Sequence, residues 1–177
     1  RDGKVVANFP SAVAPLDATV GDLMKGLKDL ELDQNTLVLF TSDNGPVIPP
    51  KGPGSAGPFG GAKGSCEEGG VRVPGIARWP ARIRAGRVVN EPVSTLDLFP
   101  TFVALTGAVL PSRHYDGQDI SRLLTGEADR IGGIGIDGGR EITFFGQNGA
   151  AGLRSGRWKY LRPGLWSGTT TLFDLEA

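Results

Sequence analysis

Three side chains in this sequence have types and spacing suited to chemistry on an anion. Asp43 and Asn44 place a carboxylate beside an amide oxygen, the oxygen donors that a hard cation such as calcium prefers. Calcium takes ~6–8 oxygens, so the pair reads first as an Asx turn and becomes part of a metal site only if other ligands join it. Lys63 follows Asp43 by twenty residues, within Gly61-Ala62-Lys63-Gly64. Its compact ammonium on a flexible stem could reach an anion held at such a cation, although composition alone makes it a solvated loop lysine. Glu68 and Arg72 flank Gly69-Gly70, glycines that permit a tight or left-handed backbone, and we assign the pair a structural role, either an ion pair or caps on backbone groups. Cys66 and His114 are single copies of their residue types, and nothing in their placement marks them as a nucleophile and its base.

These residues need elements to hold them. Leu16, Val20, Leu23, Met24, Leu27 and Leu30 recur at the spacing of one helix face. The run 36–41 is short, continuous and rich in β-formers, the pattern of a strand buried on both faces in a parallel sheet. It stops at Ser42-Asp43-Asn44-Gly45, so Asp43 and Asn44 fall just past a strand's C-terminal end, where open α/β sheets bind ligands. Residues 46–64 are dense in Gly and Pro, a long loop of the kind that carries function. A second core strand is expected over 71–79, ended by Pro80. Residues 93–105 have helical spacing, with Pro100 suited to a first turn and Gly107 lying past the C-terminus. A short helix is expected around Ile120, Leu123 and Leu124. After a Gly-rich stretch from 131, short β runs at 142–145, 152–154, 158–161 and 170–173, with a tight turn at Ser155-Gly156, predict a small antiparallel sheet.

Composition narrows the function classes. The 177 residues hold 19 Lys+Arg and 19 Asp+Glu, so no global field gathers nucleic acid or an anionic membrane surface, and any anion site must be local. With 28 Gly and 13 Pro, much of the chain is loop and turn. A single Cys excludes an internal disulfide and a cysteine-based zinc site. No stretch approaches the ~20 apolar residues that span a bilayer, and the opening RDGKVVANFP has no signal core. The lack of an initial Met and the close at LFDLEA are read as marks of a chain cut at both ends.

Taken in order, the runs LDATVGDLMKGLKDLELDQNTLVLFTSDNG, GPFGGAKGSCEEGGVRVPGIARWP, STLDLFPTFVALTG and DGQDISRLLTGE closely resemble the type I sulfatases, with the arylsulfatase A and N-acetylgalactosamine-6-sulfatase group nearest. GRWKYL and TLFDLE resemble strands of that family's C-terminal subdomain. The resemblance implies an α/β, alkaline-phosphatase-like sulfatase fold, incomplete here: part of the large mixed sheet with flanking helices, plus a small antiparallel sheet. Residues 1–130 would be the C-terminal part of the catalytic domain, and 131–177 the start of the small subdomain.

The same resemblance implies a sulfuric ester hydrolase acting on a small-molecule or glycan sulfate ester. Asp43 and Asn44 match the later pair of the family's calcium ligands, and Lys63 matches the catalytic lysine that contacts the sulfate. The family's nucleophile is a formylglycine made from a Cys or Ser in a C-x-P-S-R type motif. That motif is absent from this sequence, where Cys66 is followed by Glu67, Glu68, Gly69 and Gly70. The early aspartate pair that completes the metal site is absent as well, so the nucleophile is expected upstream and the isolated chain is expected to be inactive. Family analogy places such enzymes in lysosomes, the periplasm or the secreted fraction. Two alternatives stand beside this reading: a phosphoryl-transfer member of the alkaline phosphatase superfamily, and a non-catalytic binding homologue.

Overall fold

The computed structural model describes residues 3–146, 149–162 and 169–177. By contact the chain groups into two compact units, Arg1–Ala81 and Arg82–Ala177.

In the first unit, helix α1 (Gly3–Asp29) contains the expected apolar repeat as far as Leu27, stopping one residue short of Leu30, and begins well ahead of it, taking in Pro10 and Pro15. It ends where Glu31 adopts a left-handed backbone (φ 58°) and the Leu32 N–H turns back to the Leu27 carbonyl at 2.8 Å, a closure that satisfies an otherwise orphaned helix carbonyl. The repeat predicted the helix but not its cover: Leu16, Leu23 and Leu30 are 52%, 53% and 69% exposed.

Strand β1 (Val38–Thr41) pairs with β2 (Gly75–Arg78), in register from Val38↔Arg78 to Thr41↔Gly75. The pairing is antiparallel and Phe40 and Thr41 are exposed, which corrects the expectation of a parallel strand buried on both faces. A continuous apolar run reports a tendency to bury and carries no information about the direction of the neighbouring strand. The second strand is also shorter than expected, because Glu68–Val71 forms one turn of helix, α2. The buried Trp79 donates its indole N–H to Asn35 Oδ1 at 3.1 Å, and Arg78 donates to the Asp33 carbonyl at 3.2 Å. These bonds tie the end of β2 to the turn that feeds β1, and so fix where β1 delivers Asp43.

The second unit opens with a capping box. Ser94 Oγ accepts from the Leu96 N–H at 3.3 Å and Asp97 accepts from the Ser94 N–H at 2.7 Å, an arrangement that satisfies donors at a helix start. Helix α3 (Leu98–Thr106) follows, with Pro100 in its first turn and Gly107 closing it at φ 69°. Helix α4 (Ser121–Thr125) closes on Gly126 at φ 85°. Strands β3 (Glu141–Gly146), β4 (Gly149–Ser155), β5 (Trp158–Leu161) and β6 (Thr171–Asp174) form the anticipated antiparallel sheet in sequential order. The β4–β5 turn is Gly156-Arg157, one position later than expected.

The centre of this unit is ionic as well as apolar. Ile120, Leu123 and Leu161 are buried, and so are Asp97 and Arg140. The Asp97 carboxylate takes both Arg140 terminal nitrogens, the Ser94 N–H and the Gln118 N–H at 2.9 Å. A buried carboxylate held by a fork-shaped cation and two backbone donors is the arrangement that makes such burial tolerable. Thr101 Oγ1 accepts the Ile120 N–H at 2.9 Å, so α3, the approach to α4 and the start of β3 share one polar core.

Candidate anion and metal site

Strand β1 ends at Thr41, and the four residues after it form the turn. Ser42 Oγ donates to the Asn44 carbonyl at 3.0 Å and lies 3.5 Å from Asp43 Oδ1. The Asn44 side-chain nitrogen donates to the Gly45 carbonyl at 3.0 Å. With its nitrogen spent on the backbone, Asn44 has its amide oxygen as the atom left to accept or to ligate. Asp43 is exposed and Asn44 half-buried. This donor chemistry fits a hard cation: one carboxylate and one amide oxygen on adjacent residues of a turn. Among the described residues no group of three or more His, Cys, Asp or Glu side chains comes together, so the pair amounts to part of a ligand set.

Lys63 reaches the same region through the backbone. Its N–H donates to the Pro46 carbonyl at 2.9 Å, which brings the loop lysine alongside the chain just after Asn44. The side chain is exposed. Around it the loop is drawn in by Gly69 N–H to the Gly60 carbonyl (2.7 Å), Ser65 N–H to the Ala62 carbonyl (2.9 Å), and Gly45 N–H to the Gly70 carbonyl (2.8 Å). The turn after β1, the lysine loop and α2 are thereby knitted into one backbone assembly.

Glu68 and Arg72 face each other at 3.9 Å, and the Arg72 guanidinium sits 4.6 Å from the centroid of the Phe59 ring. The ion pair spans the single turn of α2, and the contact with Phe59 tethers that turn to the long loop, a structural role for both residues. Cys66 is half-buried, and the His114 ring nitrogen lies 3.1 Å from Asp116 Oδ1 with both groups exposed. Gly45, Gly69 and Gly70 are all buried; the sequence reading took them as turn and tight-backbone glycines and missed their close packing. The signal available for it was the doubled glycine, which is expensive in a helix.

The sulfatase family profile matches residues 2–108, a span that includes β1, the turn, the lysine loop and α2. The chain belongs to the sulfatase family. It is 46% identical to mouse (Mus musculus) steryl-sulfatase over 129 residues, covering 69% of this chain and 21% of that protein. It is 47% identical to human (Homo sapiens) arylsulfatase A over 119 residues, covering 67% and 23%. It is similar to the crystal structure of Ps i-CgsB in complex with k-i-k-neocarrahexaose (34% identity, TM-score 0.76, covering 93% of this chain and 35% of that one). It is also similar to the phosphonate monoester hydrolase of Agrobacterium radiobacter (26% identity, TM-score 0.62, covering 93% and 33%). The fold is therefore the alkaline-phosphatase-like α/β fold, present in part. The chain spans about a fifth to a quarter of the length of the curated relatives it matches. No helix among the described residues is long and apolar enough to cross a membrane.

Proposed function

We propose that this sulfatase hydrolyses a small-molecule or glycan sulfate ester, with Asp43 and Asn44 as calcium ligands and Lys63 as the clamp on the sulfate. The observation that supports the proposal is the backbone bond from Lys63 to Pro46, which holds the backbone of a cationic residue beside the chain just past the turn that bears two hard-oxygen donors. Hydrolysis of a sulfate ester moves negative charge between the sulfuryl oxygens and the leaving oxygen. Calcium, when bound, supplies a fixed positive charge for those oxygens. Asp43 and Asn44 hold that charge at the end of β1, and the Lys63 ammonium donates to a sulfate oxygen and offsets the charge that develops there. The substrate class is supported by relatives named steryl-sulfatase and arylsulfatase A and by a neighbour crystallised in complex with k-i-k-neocarrahexaose.

The nucleophile, a formylglycine on the family resemblance, and the remaining metal ligands would come from residues outside this sequence. Residues 1–130 would then contribute to the catalytic domain and 131–177 to the small C-terminal subdomain, and the 177 residues by themselves would turn nothing over. Calcium calorimetry on the intact protein tests the metal assignment. Asp43→Ala should weaken calcium binding sharply, and the 177 residues alone should bind it poorly, since two donors fall far short of ~6–8. Unchanged affinity in Asp43→Ala would remove Asp43 from the site. A second reading, phosphoryl transfer, is favoured by the likeness to the phosphonate monoester hydrolase, because a divalent cation and a lysine serve phosphorus oxygens equally well.

A further inference from the structure

We infer that Gly70, with Gly45 and Gly69, forms a positioning device that sets Lys63 against the Asp43-Asn44 turn; the inference rests on the reading of Lys63 as the sulfate clamp. None of the three has a left-handed backbone, so conformation does not demand glycine at these positions. Space does. A Cβ on Gly70 would lie 2.2 Å from the Ser65 carbonyl oxygen and 2.5 Å from that of Ala62, the residues on either side of Lys63-Gly64. A Cβ on Gly69 would lie 2.5 Å from the Gly61 oxygen, and one on Gly45 would lie 1.9 Å from the Gly69 oxygen. Every one of these obstacles is backbone, which cannot swing aside as a side chain does.

Gly70 is the link between the two halves of the site. Its Cα rests on the loop that bears Lys63, and its carbonyl accepts the N–H of Gly45 at 2.8 Å, the residue next to Asn44. Two glycines in the four residues of α2 disfavour a helical turn relative to alanine, so close approach and not local preference accounts for them. Any residue larger than glycine at position 70 pushes the lysine loop away from the Asp43-Asn44 turn while leaving every proposed functional side chain chemically unaltered.

Two measurements on the intact protein test this. In native-state amide exchange, the N–H groups of Gly45, Lys63 and Gly69, all donors within the assembly, should open together, with one free energy and one dependence on denaturant. A Lys63 amide that opens independently, and more readily, would overturn the inference. In turnover of 4-nitrophenyl sulfate, Gly70→Ala should lower kcat by about 10²-fold, the scale of a misplacement near 1 Å, with a smaller change in KM. The same substitution in a Lys63→Ala background should cost no more than about twofold, because a device acting through Lys63 has nothing left to position. Multiplicative losses in the double variant would assign Gly70 a merely structural role and sink the proposal. If Gly70→Ala does not fold, the exchange pattern of the unsubstituted protein decides. If the protein turns over no sulfate ester, the functional reading fails by itself, and the exchange result still decides whether the three glycines hold the loop.

Discussion

At the scale of single residues, the account places its weight on Lys63. A lysine on a sulfate oxygen acts where charge shifts, so Lys63→Ala in the intact protein should lower kcat by ~10²–10³, the cost of one preorganised donor. Lys63→Arg should recover little, because a planar fork does not replace a compact ammonium in a fitted site. Lys51, exposed on the same loop, is the control, and its replacement by Ala should change kcat only slightly. Steady-state kinetics with a sulfate ester checks all three. The second residue-scale prediction concerns Asp97. Asp97→Ala leaves the Arg140 guanidinium buried without its carboxylate, and breaking a buried pair in this way costs about 3–5 kcal/mol, to be read as a lowered midpoint in urea unfolding. The sequence reading missed this pair. It did not take Ser94-Thr95-Leu96-Asp97 as a capping box, and Arg140 lies 43 positions from Asp97, where no local pattern links the two. The candidate site was legible in part: Asp43, Asn44 and Lys63 were identifiable by type and order, but the backbone bonds that draw them together join residues whose side chains say nothing about the contact.

At the scale of elements, legibility followed local chemistry. Helix α3 was readable because Pro100 fits only an early helical position and Gly107 takes the left-handed closing conformation. The sheet β3–β6 was readable because short β runs separated by turn residues leave few alternatives to a meander. Helix α2 was not, since Gly69-Gly70 reads as a turn and its helical state depends on tertiary contacts with the lysine loop. The direction of β1 was not, since strand polarity is set by the partner and not by the run itself. The Ser94 cap on the 3-10 turn that leads into α3 and the Gly107 closure of α3 give a test at this scale. Ser94→Ala removes the capping oxygen and should cost about 1 kcal/mol. Gly107→Ala forces a Cβ into the left-handed region and should also cost about 1 kcal/mol. Both should shift the urea midpoint with the slope unchanged, and a changed slope would mean that the caps alter more than α3.

At the scale of the whole molecule, the described residues form two units, one built on β1–β2 and α1 and the other on the Asp97–Arg140 core. Leu16 and Leu23 on α1, Leu30 just past its end and Ile76 on β2 are all more than half exposed. The chain spans 21–23% of the length of these curated relatives. Family membership fixes the kind of oxyanion chemistry only coarsely, because the same fold occurs in a phosphonate monoester hydrolase. The most direct test of the central claim is therefore kcat/KM of the intact protein, in calcium, for 4-nitrophenyl sulfate against 4-nitrophenyl phosphate and a phenylphosphonate monoester. The account predicts that the sulfate ester is preferred and that its turnover is lost when calcium is chelated; faster turnover of either phosphorus ester, or sulfate hydrolysis indifferent to chelation, would contradict it.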